Sequence, residues 1–501
     1  MADSTPPKTA SVMRPWPLLI GLILALSIQL IPLPEGVSRE AWLVASLGVL
    51  MAVWWASEAI PIAATALIPL AIFPLLGLTS MRAVASPYAS PTVMLLLGGF
   101  ILALGIERWN LHARIALNIV AAFGARPGAM VLGFMVASAA LSMWISNTAT
   151  TLMMIPIAMK VAEALDKKGI SARLIAPALA LGIAYACSIG GVATPVGTPT
   201  NLIGMAYLEN TFQRTIDFPT WMLIGIPCTA LIVPAIWFIL TRMVFTLPKA
   251  ENNPAGHAII LAERDALGPI STPEWRMALT FGFIAVLWMG QPIWNDLLGQ
   301  LSQILSLGVT FSVSNAQIAM LGALMIFLIP AGAKTQDKPT WGVLPLMDWA
   351  STARLPWNVL ILFGGGLSLA AALQSTGLAD WLGSNLTLFS ALPMPVLVFI
   401  LAVIVVFLTE LTSNVATVSA FLPVLGALAG AAGVPAEILI VTVAISASCA
   451  FMLPVATAPN AIVYASGEVT MGQMIRAGLR INLVAAPIIA VIVSVIGPLV
   501  F

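Results

Sequence analysis

The chain has 501 residues, of which 60% are hydrophobic and only 8% charged, and its formal net charge is +1. A water-soluble globular chain carries about a quarter charged residues, so this composition excludes a soluble domain. The near-neutral balance, with no basic stripe, excludes a nucleic-acid partner. What remains is an integral membrane protein that crosses the bilayer many times.

Residues 1–37 hold a short polar start with Lys8 and Arg14, then an apolar run from Pro17 to Ile31. No small-x-small cleavage site closes the run before Pro32 and Pro34, so it reads as a retained first span rather than a removed signal peptide. Spans are predicted at 17–34, 42–56, 60–79 and 92–122, then at 174–208, 220–246, 277–295, 315–331, 356–376, 437–467 and 477–500. Each is near or above the ~20 residues that a bilayer crossing requires. Two further apolar stretches, 127–162 and 391–428, carry polar islands and are treated below. The fold class is therefore an all-α polytopic membrane protein with about 11 transmembrane helices besides these two stretches.

Between the spans little chemistry is on offer. Glu58, in WWASEAIP, reads as a helix-end residue near the interface rather than a site carboxylate. His112 and His257 fall in polar connectors, which leaves no material for a metal cluster or a Ser/His pair inside the membrane. Cys187, Cys228 and Cys449 stand far apart in apolar runs, as small packing residues do. The uncharged LLGQLSQILSLGV at 297–309 is predicted to lie along the outer interface as an amphipathic helix. The connectors at 247–275 and 332–355 are polar and are placed in the cytoplasm.

Positive charge sets the course of the chain, because Lys and Arg stay in the cytoplasm. Arg108, Arg114 and Arg126 precede the stretch at 127–162, and Lys160, Lys167, Lys168 and Arg173 follow it. Both its ends are then cytoplasmic, and it enters and returns as a re-entrant hairpin. The stretch at 391–428 is flanked by Asp380 and Glu437, with no Lys or Arg between residues 355 and 475, so both its ends lie outside. With two such hairpins the other spans alternate, and of 21 Lys and Arg only Arg39, Arg82 and Arg214 fall outside. The N-terminus is predicted to be cytoplasmic and the C-terminus external.

The chain also repeats itself. Ser142, Ser146, Asn147, Ala149 and Thr150 match Thr409, Ser413, Asn414, Ala416 and Thr417 at an offset of 267, as do Gly98, Gly99 and Leu111 with Gly365, Gly366 and Leu378. Downstream, GVATPVGTPTN at 191–201 pairs with FMLPVATAPN at 451–460, which sets Gly197 on Ala456, Thr198 on Thr457 and Asn201 on Asn460. Two halves follow, 38–250 and 275–501, joined by a linker at 251–274. The predicted topology starts the first half outside and the second inside, which is an inverted repeat. Inverted repeats with helices broken at the midplane are the architecture of secondary transporters.

The broken helices are 174–208 and 437–467. Neither TPVGTPTN nor PVATAPN can stay helical, because proline removes backbone donors and glycine lowers helical preference. Unwound backbone at membrane depth is tolerated only when it is buried in protein or lines a cavity. Each half thus presents one hairpin tip and one helix break, rich in hydroxyls, amides and free carbonyls. Such oxygens suit hard cations, and helix N-termini with amide N–H groups suit carboxylate-like anions. None of the four segments holds a Lys or Arg, so a bound anion must draw countercharge from cations or dipoles. That is a physical reason to expect cation-coupled anion transport. Ser, Thr and Asn also glue membrane helices together, but four segments in one symmetric pattern go beyond glue. Two roles are open for Glu410, a cation ligand or proton-sensing group, and a carboxylate paired within the fold.

ISNTATTLMMIP, GVATPVGTPTN, TSNVATVSAFLPVL and AFMLPVATAPNAIVYASG, in this order, resemble the divalent anion/sodium symporter family, over roughly residues 40–500. That resemblance implies a homodimer in the bacterial inner membrane, each protomer pairing a dimer-forming scaffold with a transport domain that slides as an elevator. It implies import of C4-dicarboxylates such as succinate, malate and fumarate coupled to Na⁺, with no organic cofactor and no enzymatic activity. Carried over by position, the first Na⁺ site takes Ser142, Ser146, Asn147 and the Gly197 carbonyl, and the second takes Thr409, Ser413, Asn414 and the Ala456 carbonyl. The substrate carboxylates would meet Asn147, Thr148, Asn414 and the surroundings of Thr198 and Thr457. Two departures bear on substrate identity. Val415 stands where the fuller motif has Thr, and Ala458 where some members have Pro. The alternatives on the same fold are a sodium-independent dicarboxylate or anion exchanger and a carrier of citrate or sulfate.

Overall fold

The computed structural model describes residues 15–124, 126–166, 172–247, 254–305, 311–332, 344–385 and 392–501. Among them the chain is helical throughout, apart from one isolated bridge between Pro330 and Pro345. Helix α1 (Pro15–Leu30) precedes the first half, which runs through α2 (Arg39–Ser57), α3 (Ile62–Thr65), α4 (Ile68–Ile72), α5 (Met81–Ala85), α6 (Pro91–Arg108) and α7 (Leu111–Ala122). It continues with α8 (Pro127–Ser142), α9 (Asn147–Asp166), α10 (Ala172–Gly190), α11 (Pro199–Tyr207) and α12 (Phe218–Phe238). A linker helix, α13 (Pro254–Ala266), leads into α14 (Thr272–Met289), α15 (Gln291–Ile304), α16 (Asn315–Leu328), α17 (Trp357–Ser375) and α18 (Leu378–Asn385). Last come α19 (Met394–Leu408), α20 (Asn414–Ala432), α21 (Ala436–Ser446), α22 (Ala458–Ala465) and α23 (Met471–Val500). Among the described residues, eight helices are long and apolar enough to cross a bilayer, or nine if the bent pair α14–α15 is one span.

Polar residues set the helix starts. Ser38 accepts from the Ala41 N–H at 3.1 Å, Asp217 from the Thr220 N–H at 2.7 Å, and Ser271 with Glu274 and Thr470 with Gln473 form reciprocal capping boxes. Such caps satisfy amides that the first turn leaves unpaired.

Four expectations change here. The span expected at 60–79 is the short pair α3 and α4, because Pro61, Pro69 and Pro74 punctuate it. The run at 92–122 is two helices, parted at Asn110 with its φ of 53°. The connectors are not featureless: α13 packs on α9 and α7, so His257 lies on a helix. His112 lies on α7, 9% exposed, with its Nδ1 3.4 Å from the Ile106 carbonyl. Glu58 is the left-handed C-cap of α2, with φ 47°. The amphipathic stretch begins earlier than expected, as α15, bent 73° from α14; residues 306–310 lie outside the described set, as do 1–14, 167–171 and 333–343.

The repeat is visible in the element starts. Helices α6, α7, α8 and α9 begin at 91, 111, 127 and 147, and α17, α18, α19 and α20 at 357, 378, 394 and 414, differences of 266, 267, 267 and 267. The matched glycines do the same work in each half. A Cβ on Gly98 would stand 2.7 Å from the Ala319 backbone, and one on Gly365 2.5 Å from the Ala66 carbonyl oxygen. Each half therefore leans a bare glycine on the backbone of the other half.

The described ion pairs fall into two groups. Arg108–Asp348, Arg354–Glu107, Arg114–Glu274, Lys160–Glu263 and Arg264–Asp265 join segments that the charge pattern puts on one side. Arg214–Glu437 joins segments put on the other. No described pair mixes the two sets. Between these poles lie α10 and α21; every described side chain of α21 is buried, and so is every one of α10 past Leu174. They are the central helices around which α8, α9, α12, α19 and α23 pack.

Candidate functional site

Both central helices end in a break, and the sequence supplies what each break needs. Past α10, the chain unwinds from a 3-10 turn at Gly191–Ala193 until α11 begins at Pro199. The Asn201 amide donates to the Gly191 carbonyl at 3.0 Å and to that of Thr194 at 2.8 Å, and the Trp221 indole donates to that of Val192 at 2.9 Å. Past α21, the Asn460 amide donates to the carbonyls of Ala450 at 2.9 Å and Leu453 at 3.1 Å. Asn201 and Asn460 are wholly buried. They are equivalent braces, each holding an unwound segment that could not persist at membrane depth with unpaired carbonyls.

The second break has one further brace. Glu410 Oε1 accepts from the Phe451 N–H at 2.6 Å and from the Asn482 amide at 2.7 Å, while Oε2 accepts from the N–H groups of Met452 at 2.9 Å and Leu453 at 3.2 Å. Tyr185, on α10, donates to the Phe451 carbonyl at 2.7 Å. Every acceptor position of the Glu410 carboxylate is engaged by protein. Of the two open roles, the paired carboxylate is the one the geometry carries. Its partner Asn482 was missed by sequence reasoning, though a lone amide within the apolar α23 was a signal for it.

The tips stand beside the breaks. Helices α8 and α10 touch where Gly190 meets the Ala139 backbone. In the first half, Ser142 is wholly buried, Ser146 is exposed at the turn, and Asn147 and Thr148 are half-buried at the start of α9. Asn147 Oδ1 and the Gly197 carbonyl oxygen converge on Gly191, 3.1 and 2.9 Å from where a Cβ would stand. Ser142 Oγ, Asn147 Oδ1 and Thr150 Oγ1 are buried without a hydrogen-bond partner. Thr194 ties the break to the tip by donating to the Met143 carbonyl.

In the second half Thr409 is wholly buried and Ser413, Asn414 and Val415 are half-buried. Thr409 Oγ1 lies 2.9 Å from Asn414 Oδ1 and 3.0 Å from the Ala447 carbonyl. Thr457 caps α22 by accepting from the Asn460 N–H at 3.3 Å; Thr198 is buried at the start of α11, with Thr200 Oγ1 3.4 Å away. Ala456 is 5% exposed, whereas Val455 beside it is 79% exposed.

The two halves are interlocked. Helix α22, after the second break, packs on α9, after the first tip, and α11, after the first break, packs on α20, after the second tip. Thr200 and Ser448 close the exchange with a hydroxyl contact of 2.9 Å. Asn147, Thr198, Asn414 and Thr457 thus stand at the starts of four helices, where backbone N–H groups and partial positive charge are available to an anion, while Ser142 and Thr409 stand at the ends of α8 and α19.

Comparison with known proteins gives the family and the fold. The family model of the sodium:sulfate symporter transmembrane region matches residues 13–501. A protein of Staphylococcus saprophyticus named sodium-dependent dicarboxylate transporter SdcS is 36% identical over 494 residues, covering 96% of this chain and 91% of that protein. Its namesake in Staphylococcus aureus is 38% identical over 496 residues, covering 96% and 92%. Among solved structures, Neisseria gonorrhoeae MtrF, described as illuminating a class of antimetabolite efflux pumps, matches with a TM-score of 0.56 at 12% identity, covering 94% of this chain and 97% of that one. The Alcanivorax borkumensis YdaH transporter, described as having an unusual topology, matches with a TM-score of 0.55 at 14% identity, covering 97% of each. At these identities the two structures share the fold alone with this chain.

Proposed function

The chain belongs to the sodium:sulfate symporter family, and we propose that within it this protein is a Na⁺-coupled importer of C4-dicarboxylates such as succinate, malate and fumarate. It is a multi-pass membrane protein and not an enzyme. One observation carries the reading. Two polar tips and two braced helix breaks, matched half for half, contain no Lys or Arg, and one of them buries three oxygens without a hydrogen-bond partner. A dianion in such a place is held by helix N-termini and amides, and its remaining charge is met by cations on the neighbouring oxygens.

In this account Asn147 and Asn414 are the pivots, because each amide has two ends. The Oδ1 faces the cation and the Nδ2 faces a substrate carboxylate, so cation and anion are read by one group. Ser142, Ser146 and the Gly197 carbonyl complete the first cation set, and Thr409, Ser413 and the Ala456 carbonyl the second. Thr148, Thr198 and Thr457 supply hydroxyls toward the substrate, while Val415 offers none where Thr148 does in the other half. That lopsidedness is where choice among di- and tricarboxylates would be made. The loaded tips and breaks, braced as one body by Glu410, Asn201 and Asn460, slide as an elevator against the dimer-forming scaffold of the inner membrane, with the N-terminus cytoplasmic and the C-terminus outside.

The test is paired. In proteoliposomes, Asn147→Ala and Asn414→Ala each abolish succinate uptake while the protein still inserts and dimerises. Unchanged uptake in both variants would sink the site assignment.

A further inference from the structure

Glycine inside a helix is less stable than alanine, so each one asks for a reason. Helix α6 carries Gly98 and Gly99, and α17 carries Gly364, Gly365 and Gly366. Three of the five are explained by what they touch. A Cβ on Gly98 would meet the Ala319 backbone, one on Gly365 the Ala66 carbonyl, and one on Gly364 the Tyr88 ring, all too close to fit. Gly99 and Gly366 differ. They are matched by the repeat and both are half-buried. The atoms nearest their missing Cβ are Val196 Cγ1 and Ser419 Oγ, each at 3.5 Å. That is ordinary van der Waals contact, so alanine fits at both positions in this arrangement.

Both contacts join a glycine helix to the segments that carry the tips and breaks. Val196 lies in the first break, and Ser419 lies on α20, one turn past Val415. Helix α11 packs on α6 and α17, and α20 packs on α17 and α2. Among the described residues α9 and α22 have no comparable packing on α2, α6 or α17. The repeat supplies the counterparts. Leu152 corresponds to Ser419 at the offset of 267, and Val455 to Val196 in the matched breaks. Leu152, on α9 one turn past Thr148, is 56% exposed, and Val455 is 79% exposed. One member of each matched pair is seated on a glycine, and the other is bare.

We propose, resting on the elevator reading, that Gly99 is a seat kept bare for Leu152: in a second arrangement of the moving body, Leu152 packs on Gly99 as Ser419 packs on Gly366 here. Val455 then takes on Gly366 the place that Val196 has on Gly99. Such an exchange is open to an inverted repeat, since each half carries both kinds of surface. Side-chain size supplies the reason for glycine. Ser419 already stands at van der Waals distance from a Cβ on Gly366. Leucine brings more carbon on the same approach, and that carbon occupies the room a Cβ on Gly99 would take. Gly366 meets only a valine in the second arrangement, the contact that tolerates alanine at Gly99 here, so neither arrangement demands glycine at 366.

The experiment is succinate uptake into proteoliposomes by single and paired variants of the full chain. Gly99→Ala lowers the rate by about tenfold or more, because the added methyl is overpacked only in the second arrangement. Leu152→Ala alone stays within about twofold of wild type, and the two substitutions together return uptake to within about threefold. Gly366→Ala, the control, stays within about twofold. No atom of Leu152 comes within 4 Å of the Gly99 Cβ position here, so the rescue cannot arise from the arrangement seen. Thermal unfolding is the folding control, and Gly99→Ala melts no lower than wild type. The proposal is overturned if Gly99→Ala transports at the wild-type rate or melts below it, if Leu152→Ala does not rescue it, or if Gly366→Ala is as slow. A cysteine pair separates this inference from the elevator reading. A Cβ on Gly366 stands 3.6 Å from Ser419 Cβ, within disulfide reach. By the same geometry, Gly99→Cys with Leu152→Cys is cross-linked by copper phenanthroline in the second arrangement, while Cys187, Cys228 and Cys449 stay buried. A cross-link without rescue overturns the seat and leaves the elevator standing. Neither cross-link nor rescue would remove the elevator reading, and this inference with it.

Discussion

Glu410 shows how much a single carboxylate can hold. It gathers three consecutive backbone N–H groups and the Asn482 amide around an unwound segment, and charge-assisted hydrogen bonds are the strong ones. Glu410→Ala leaves those donors buried and unpaired, so it should cost more than about 3 kcal/mol of stability. Thermal unfolding of the purified variant measures this, and the Na⁺ concentration for half-maximal uptake by the surviving folded protein should stay unchanged. A cation ligand would behave the other way, losing Na⁺ affinity at unchanged stability. The sequence marked this residue but could not choose its role, because a carboxylate's partners here come from positions 451–453 and 482, which no local pattern connects to 410. Asn147 and Asn414 were legible because a polar pair inside an apolar run is itself a signal.

Helices and breaks were largely legible, because proline and glycine punctuate the chain wherever a helix cannot continue. The failures have the same cause at higher density. Pro61, Pro69 and Pro74 cut 60–79 into two short helices, although its hydropathy alone reads as a span. Interhelix contacts were illegible, since periodicity says which face is apolar and not which helix meets it. Gly365 illustrates the point. Its match to Gly98 was visible, but the Ala66 backbone against it was not. Gly365→Ala therefore forces a backbone shift and should cost about 1–3 kcal/mol, seen as a lower melting temperature. Asp348 caps the turn Trp349–Arg354 and pairs with Arg108. Burial raises its pKa, but the Ser351 backbone N–H and the Arg108 guanidinium outweigh that and hold it below the usual aspartate range. A depressed pKa contributes stability above the unfolded value of about 3.9 and loses it as pH falls through the folded value. Melting temperatures of wild type and Asp348→Asn should accordingly differ at neutral pH and converge below about pH 4.

At the scale of the whole molecule, the repeat gives each half the same tools and the structure exchanges them, with α22 against α9 and α11 against α20. In the proposed function that exchange makes one site from two copies. The central claim is that this site couples a dianion to Na⁺. The most direct measurement is succinate uptake into proteoliposomes, with an inward Na⁺ gradient and no internal succinate, or with internal succinate and no Na⁺. The account predicts saturable uptake in the first condition and none in the second. Uptake that requires internal succinate and ignores Na⁺ would contradict it and identify a sodium-independent exchanger.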